Sequence, residues 1–316
     1  MIKGKSLLSL MELDAKEVFE IIELSEKLKE KRKNGVYPPL LNNITLASIF
    51  MKPSTRTRIS FNEAMYELGG HCIDLTSNEL QLGRGETIED TARVLSRYVE
   101  VIAARVFEHD DVMKLSQAAT VPVINSLSDL YHPCQILADL QTIKEKKGRL
   151  QGLKLSYVGD GNNVCNTLFI GGALAGMNVY AACPPNFKPC KDAVEFAQKT
   201  AEKSKNKIAV LDDPKEVVKD ADIVYTDTFV SMGSEKEMEE RLKVFLPKYQ
   251  VNRKLVRNAK DDFIFMHCLP AHRNQEVTDE VIDGENSVVL DEAENRLHVQ
   301  KAIICLLLLQ ESAIKF

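Results

Sequence analysis

The segment from Ser54 to Arg58 (STRTR) concentrates three hydroxyl groups and two guanidinium groups in five residues. It stands between a short apolar stretch, 45–50, and a helical pattern of apolar residues. A helix N-terminus offers N–H groups and the positive end of a dipole, to which these side chains add donors of phosphate geometry. A capped helix with solvated arginines is the structural alternative. The density of donors favours an oxyanion or phosphate site, although the spacing is not that of a P-loop.

Two histidine-containing segments could also take part in chemistry. His132 and Gln135 precede an apolar, helix-like run. An imidazole can polarise a carbonyl group and a carboxamide can bind an –NH2 group, but a lone histidine is more often a cap or core residue. His267 and Cys268 follow a predicted strand. A thiol nucleophile needs a base and a lowered thiol pKa, and a zinc site needs four ligands, so a structural strand end is the simpler interpretation of that pair.

The turn 159–164 (GDGNNV) resembles a dinucleotide-binding loop but lacks two of its features. Val164 occupies the position of the third glycine, and the next predicted strand ends in Ala182, Cys183 and Pro184, with no acidic residue for a ribose. A nicotinamide cofactor is therefore disfavoured. The turn and the segment 227–233 each follow a predicted strand, and open α/β sheets bind ligands at the carboxyl ends of their strands.

The elements that must position these residues alternate along the chain. Helices are predicted at 12–32, 88–98 and 299–309, and strands at 45–50, 72–75, 101–104, 153–158, 178–182, 208–211, 223–226, 263–268 and 287–290. The charged stretch 144–148 is predicted to end a connecting helix, after which the pattern restarts. The fold class is therefore α/β, with two successive domains, each a mostly parallel sheet flanked by helices.

The composition fits a folded, soluble protein of this size. The chain has 316 residues, of which 44% are hydrophobic and 28% charged, and domains of about 150 residues are typical. The 41 Lys and Arg residues against 46 Asp and Glu give a net charge of −5. That charge provides no positive field for a nucleic acid, so any anion must be bound locally.

Three features predict the cellular location. The seven cysteines lack the dense spacing of a secreted disulfide scaffold, which favours a reducing compartment. The N-terminal residues 1–18 fit neither a secretory signal nor an Arg-rich transit peptide. The longest apolar run, 302–309, is far shorter than the roughly 20 residues that span a bilayer. We therefore expect a cytoplasmic protein without a membrane partner.

Four segments taken together are more informative than any one of them. Residues 50–58 (FMKPSTRTR), 132–135 (HPCQ), 227–233 (DTFVSMG) and 267–270 (HCLP) resemble motifs of the aspartate/ornithine carbamoyltransferase family, and the resemblance extends over residues 3–301. The SMG and HCLP motifs resemble the ornithine branch. The resemblance implies transfer of the carbamoyl group from carbamoyl phosphate to the δ-amine of L-ornithine, which gives L-citrulline and phosphate in arginine metabolism.

The resemblance also implies a domain organisation and an assembly. Residues 1–147 would form the carbamoyl phosphate-binding domain and 148–298 the ornithine-binding domain, while the C-terminal helix, 299–316, would pack back on the first domain. The site would lie at the subunit interfaces of a homotrimer or a multiple of trimers. The charged segment 233–242 is expected to close over ornithine.

The resemblance assigns a role to individual residues. The carbamoyl phosphate ligands would be Ser54, Thr55, Arg56, Thr57, Gln81 of a neighbouring subunit, Arg105, His132, Gln135, Cys268, Leu269 and Arg296. The ornithine ligands would be Asn163, Asp227, Ser231 and Met232. The catalytic groups would be Arg105, His132, Gln135, Asp227, Cys268 and Arg296. No cofactor or metal is implied, and Cys268 would orient the amine without forming a covalent intermediate.

Several alternatives stay open at this point. Aspartate is disfavoured as the second substrate because Asp227 would repel its second carboxylate. Putrescine has no α-carboxylate for Asn163 and the Met232 amide, whereas an acylated ornithine is harder to exclude. A non-catalytic paralogue that only binds carbamoyl phosphate is the alternative from a different functional class.

Overall fold

The computed structural model describes residues 2–81, 85–230 and 237–315. Strands and helices alternate over most of the chain from residue 45 onwards. Contacts divide the chain into two units, one comprising Met1–Gln141 with Glu294–Phe316 and the other Thr142–Ala293. Both divisions fall inside helices. The domain borders predicted from the sequence, after residues 147 and 298, lie a few residues further along the same two helices. That these domains bind carbamoyl phosphate and ornithine within those bounds stays a prediction.

The first unit is built on a four-stranded parallel sheet. Its elements up to the first division are α1 (Ala15–Lys33), β1 (Thr45–Phe50), α2 (Thr55–Glu67), β2 (His71–Thr76), α3 (Ile88–Leu95), β3 (Val101–Arg105), α4 (His109–Ala118), β4 (Val123–Leu127) and α5 (Pro133–Lys147). The strand order is β2-β1-β3-β4. The chain winds outward from β1 to β2 and then returns to β3, so the topological switch point, where such sheets bind ligands, lies between β1 and β3.

The second unit repeats this plan with five parallel strands. Its elements are β5 (Lys154–Val158), α6 (Asn163–Leu174), β6 (Asn178–Ala182), α7 (Lys191–Ser204), β7 (Ile208–Leu211), α8 (Pro214–Val218), β8 (Ile223–Tyr225), α9 (Met238–Phe245), α10 (Arg253–Val256), β9 (Ile264–Met266), α11 (Asp279–Ile282) and the start of α12 (Val289–Leu308). The strand order is β7-β6-β5-β8-β9, so the switch point lies between β5 and β8. The predicted fold class is confirmed.

Helix α12 returns the chain to the first unit, as predicted for the C-terminal helix. Lys301 on α12 forms a buried ion pair of 2.5 Å with Glu67 at the end of α2. The Gly4 N–H donates to the Leu307 carbonyl oxygen at 2.9 Å. The helix is buried on all sides at the four consecutive residues Ala302, Ile303, Ile304 and Cys305. Within the described residues, no helix is both long and apolar enough to cross a membrane.

Two element predictions fail for identifiable reasons. The strand predicted at 287–290 is wrong, since Ser287 makes only an isolated bridge with Phe265 and α12 begins at Val289. Asp291 and Glu292 occupy the first turn of α12, where carboxylates favour a helix N-terminus. Strand β4 was not predicted, because its buried polar residues interrupt the apolar pattern of a buried strand. One of them, Asn125, donates from its side chain to the Leu8 carbonyl oxygen at 2.8 Å.

Candidate active site

The N-terminus of α2 lies directly beyond β1, beside the switch point of the first sheet. Ser54 is the N-cap residue, and its Oγ accepts a hydrogen bond from the Thr57 N–H at 3.2 Å. The first N–H groups of a helix lack intrahelical acceptors and lie at the positive end of its dipole. The first turn carries Thr55, Arg56 and Thr57 and no acidic residue. This helix start therefore suits a phosphate group.

Arg105 brings another guanidinium group to the same switch point. It is the last residue of β3 and is paired with Phe50, the last residue of β1. It is 8% exposed. The parallel register of β1 and β3 thus places a buried cation beside the segment that leads into the start of α2.

His132 is buried among cations and is uncharged at neutral pH. It is 4% exposed. Burial first, and then the charges of Arg296, Arg105 and Arg56, lower its pKa well below the ordinary value of 6.5. Both effects disfavour the imidazolium ion. A neutral imidazole has one N–H donor, which suits a hydrogen bond to a carbonyl oxygen on which negative charge develops.

Arg296 ties predicted ligands from three helices together. On α12, its guanidinium donates to Gln135 Oε1 at 2.6 Å and to Thr57 Oγ1 at 3.1 Å. Gln135 in turn donates from Nε2 to Asp139 Oδ1 at 2.8 Å. These contacts fix the orientation of the Gln135 amide, because its oxygen faces a cation and its nitrogen a carboxylate.

Arg58 contacts residues outside this cluster, and Gln81 is expected to act on a neighbouring subunit. Arg58, the last residue of the STRTR segment, donates to Asp74 on β2 at 2.7 Å, and Asp74 also accepts from Asn62. Arg58 therefore belongs to the exposed face of α2. Gln81 is exposed and precedes residues 82–84, which lie outside the described part of the chain.

In the second unit, Asp227 receives donors from both neighbouring strand ends. Its Oδ2 accepts from Asn162 Nδ2 at 2.7 Å and its Oδ1 from the Cys268 thiol at 3.2 Å. Because β5, β8 and β9 are adjacent and parallel, the segments that follow them meet at one edge of the sheet. Asp227 is 7% exposed. A buried carboxylate at a switch point is a suitable partner for a substrate ammonium group.

His267 supports the backbone of this cluster and is fully buried. Its Nδ1 accepts from the Leu269 N–H at 2.9 Å, and its Nε2 lies 3.2 Å from Glu276 Oε1. The first bond assigns the ring proton to Nε2. Leu269 has a φ of 57°, a conformation that costs free energy for a side chain of this kind, and the bond to His267 helps to hold it there.

The same residues raise the question of a metal site. Asp227, His267 and Cys268 place three potential ligand atoms within 4.8 Å of one another. Both nitrogens of His267 already have partners. Asp227 and Cys268 alone fall short of the four ligands of a structural zinc site.

The remaining predicted ornithine ligands are placed only in part. Asn163 is the first residue of α6, and its Oδ1 contacts the Val164 N–H at 2.9 Å. Ser231 and Met232 lie outside the described residues, as do residues 233–236 of the segment expected to close over ornithine. Residues 238–242 of that segment form the start of α9.

Three residues of this region were not predicted from the sequence: Asn162, Asp160 and Arg241. Asn162 is the N-cap of α6 and contacts Asp227, while Asp160 forms an ion pair with Arg241 on α9. Burial raises the pKa of Asp160 to about 7, with the charge of Asp227 adding to the rise and that of Arg241 opposing it. Asn162 and Asp160 belong to the turn noted in the sequence, but nothing in that pattern indicates Arg241.

Comparisons with known proteins cover nearly the whole chain. The aspartate/ornithine carbamoyltransferase model for the carbamoyl-P binding domain matches residues 5–145, and the model for the Asp/Orn binding domain matches residues 151–307. An ornithine carbamoyltransferase from Pyrococcus horikoshii is 55% identical over 307 residues, which are 97% of this chain and 96% of the relative. An anabolic ornithine carbamoyltransferase from Pyrococcus furiosus is 54% identical over 305 residues, 96% of either chain.

The fold agrees with these matches. The solved structure of ornithine carbamoyltransferase from Pyrococcus furiosus has a TM-score of 0.94 and 54% identity, over 97% of this chain and 98% of that one. The alignments include the Ser54 and His132 segments of the first unit and the Asp227 and His267 segments of the second. By sequence and by fold, the chain belongs to the aspartate/ornithine carbamoyltransferase family.

Proposed function

We propose that the protein is an ornithine carbamoyltransferase, which transfers the carbamoyl group of carbamoyl phosphate to the δ-amine of L-ornithine and releases L-citrulline and phosphate. One observation carries the proposal. Polar and charged side chains gather at the switch point of each sheet, with hydrogen-bond donors and cations in the first unit and a buried carboxylate, Asp227, in the second. The first set suits a phosphorylated anion and the second an amine.

Carbamoyl phosphate is bound by the first set in this proposal. The phosphate group is bound by Ser54, Thr55, Arg56, Thr57 and Arg105, together with Gln81 of a neighbouring subunit. The high density of donors matches the charge and geometry of a phosphate. Gln135, the Leu269 backbone, Cys268 and Arg296 bind the carbamoyl end. In this proposal residues 1–147 are the carbamoyl phosphate-binding domain and 148–298 the ornithine-binding domain, although Cys268, Leu269 and Arg296 of the second range also contact carbamoyl phosphate.

The reaction begins with attack of the δ-amine nitrogen on the carbonyl carbon. His132, Arg105 and Thr57 donate hydrogen bonds to the carbonyl oxygen, where charge develops in the tetrahedral intermediate. The C–O bond to phosphate then breaks, the phosphate leaves with the electron pair, and the amine nitrogen gives up a proton to the departing phosphate. Holding the two substrates in line contributes about 7 to 11 kcal/mol to the lowering of such a barrier.

The amine must react in its neutral form, although an alkyl amine has a pKa of about 10.4. Asp227 and Cys268, 3.2 Å apart, orient this nitrogen, and no bond to sulfur is formed. Asn163, Ser231 and the Met232 backbone bind the α-amino acid end together with Asp227. No cofactor or metal ion takes part in this scheme.

The assembly belongs to the same proposal. Ile59 and Tyr66 on α2 are 62% and 77% exposed, and Ile73 on the neighbouring edge strand β2 is 42% exposed. An apolar face of this kind on a sheet edge suits contact with a second copy of the chain. We infer a homotrimer or a multiple of trimers. The cysteine spacing and the N-terminal residues support a location in the cytoplasm. The similarity to an anabolic relative supports a role in arginine biosynthesis.

Product formation tests the reaction. Purified protein is given carbamoyl phosphate with ornithine, putrescine, aspartate or N-acetylornithine in parallel reactions, and each carbamoyl product is measured. Citrulline alone is expected. Turnover of another amine would overturn the assignments of Asn163 and Asp227. If no amine gives a product although carbamoyl phosphate binds, the protein is a non-catalytic paralogue that only binds carbamoyl phosphate.

A further inference from the structure

Arg241 connects separate segments of the second unit that the proposed reaction leaves unexplained. Its Nε donates to the Phe229 carbonyl oxygen at 2.7 Å, and its terminal nitrogen donates to Asp160 in an ion pair. Its guanidinium carbon lies 4.5 Å from the centroid of the Phe187 ring. The side chains of Arg241 and Asp160 are each 11% exposed. A planar guanidinium can make these three contacts at once, which an ammonium group cannot.

The contacted segments follow three adjacent strands of the sheet. Asp160 follows β5, Phe187 follows β6 and Phe229 follows β8, while Arg241 is on α9. The strand order β6-β5-β8 brings their ends together, and Arg241 joins them from one side chain. The residues that bind ornithine in our proposal, Asn163 and Asp227, stand on two of the same segments.

The turn that carries Asp160 is closely packed and leads into the start of α6. The Gly161 N–H donates to the Phe187 carbonyl oxygen at 2.8 Å, and a Cβ atom on Gly161 would lie 2.2 Å from the Pro189 nitrogen. Asn162 follows and contacts Asp227. Whatever fixes Asp160 therefore also fixes the positions of Asn162 and Asn163.

Charge gives the ion pair a second consequence. Asp160 is buried and close enough to Asp227 for the two carboxylates to repel each other. Arg241 balances the charge of Asp160, so the charge of Asp227 remains for a substrate ammonium group. Without Arg241, Asp160 would either compete for that cation or take up a proton.

We propose that Arg241, acting through Asp160, is a positioning residue for the amine substrate. It holds the turn 159–163 and the backbone after β8 in the arrangement in which Asn163 and Asp227 bind ornithine. Arg241 need not touch either substrate for this role. The inference rests on the proposed function, and its test includes a measurement that does not depend on turnover.

Steady-state kinetics provide the first readout. In the Arg241→Met variant, the KM for ornithine should rise about tenfold or more, as expected for loss of hydrogen bonds to a charged group, with kcat and the KM for carbamoyl phosphate changed less than about threefold. Arg241→Lys keeps the positive charge but not the planar set of N–H donors, so an intermediate KM for ornithine is expected. Lys243→Met, an exposed change on the same helix, is the matched control and should behave as wild type.

Asp160→Asn tests the other end of the pair and serves if Arg241→Met does not fold. Its ornithine KM should also rise, and adding Arg241→Met should raise it by less than the product of the two single effects. The idea fails if Arg241→Met matches Lys243→Met, or if the KM values of both substrates rise equally.

Hydrogen exchange measures the turn directly in substrate-free protein. Arg241→Met should speed exchange in peptides covering residues 159–165, where the Gly161 N–H is bonded, and leave the β1 and β3 peptides unchanged. Unchanged exchange in the turn would overturn the positioning role. If the wild type forms no citrulline, the proposed function fails, and this exchange result still decides whether Arg241 orders the turn.

Discussion

Arg296 and Gln135 are joined by a hydrogen bond of 2.6 Å although 161 positions separate them in the chain. Through its other terminal nitrogen, the same guanidinium reaches Thr57 at 3.1 Å. Residues from α12, α5 and α2 thus share one buried cation before any substrate binds. If carbamoyl phosphate binds here as we propose, it meets side chains that already contact one another, which lowers the entropic cost of binding.

Replacing Arg296 with lysine tests whether the shape of the cation matters as well as its charge. Lysine keeps the charge but cannot donate in two fixed directions, so Gln135 and Thr57 lose their common partner. We expect Arg296→Lys to lower kcat/KM for carbamoyl phosphate about 100-fold. Arg58→Lys is the matched control, because Arg58 pairs with Asp74 on an exposed face, and it should cost less than about threefold. Equal effects of the two changes would contradict the role of Arg296.

The pKa of His132 predicts how acid affects folding. Its folded-state pKa lies well below 6.5 because of burial and nearby cations. Below pH 6.5 the unfolded chain therefore binds a proton that the folded chain excludes, and stability is lost as the pH falls. The loss from this one group approaches about 1.4 kcal/mol per pH unit.

The His132→Gln variant should lack this contribution. Its free energy of unfolding, measured with urea at one protein concentration, should fall less than that of wild type between about pH 6.5 and about pH 5.5. His71→Gln, at an exposed position on β2, is the control and should retain the wild-type dependence. A His132→Gln profile parallel to that of wild type would show that the imidazole is charged in the folded protein.

The residues proposed to bind the phosphate could be predicted from the sequence because they are local. Ser54 to Thr57 are contiguous, and their donors belong to the N-terminus of one helix. The amine side is different. Asn162, Asp227 and Cys268 are 65 and 41 residues apart along the chain, and their meeting depends on the strand order β5-β8-β9. Alternating strands and helices indicate a parallel sheet but do not specify which strands are neighbours.

The sequence pattern does not indicate residues whose role depends on contacts with other, distant residues. Arg241 stands in the charged segment 233–242, which is expected to close over ornithine but gives no sign of what any single residue contacts; only the structure shows that the Arg241 side chain is largely buried. Asp160 appeared in the sequence as part of a turn without a partner. Strand β4 was not predicted for a related reason, since the side-chain nitrogen of its polar Asn125 donates to the carbonyl oxygen of Leu8, 117 positions away in the chain.

Cys268 is expected to orient the amine rather than to bond to the carbamoyl group. Its thiol donates to Asp227 at 3.2 Å, and a serine can make the same kind of bond. Cys268→Ser should therefore lower kcat by about 10- to 100-fold, far less than the roughly million-fold loss on removal of a covalent nucleophile. Cys72→Ser, outside this cluster, should leave kcat unchanged. A carbamoyl adduct on Cys268 of wild-type protein incubated with carbamoyl phosphate alone would refute this role.

The ion pair of Asp160 predicts a specific pH dependence of catalysis. Burial, with the repulsion of Asp227, raises its pKa to about 7 against the attraction of Arg241. Tyr157 and Cys165 also face it, and because their own pKa values are raised above 10.0 and 9.0, both stay neutral in this range. As the pH rises through 7, Asp160 becomes a carboxylate that pairs fully with Arg241.

Comparison with Asp160→Asn isolates this titration, because the amide does not ionise and the ionisation of ornithine affects both enzymes equally. The ratio of kcat/KM for ornithine, wild type over variant, should rise with the pH through about 7 and then level off. The same ratio measured for carbamoyl phosphate at saturating ornithine should stay flat, since the Asp160 side chain pairs with Arg241, which is not a proposed ligand of carbamoyl phosphate. An ornithine ratio that does not change across this range would mean that the ionisation of Asp160 has no part in binding the amine.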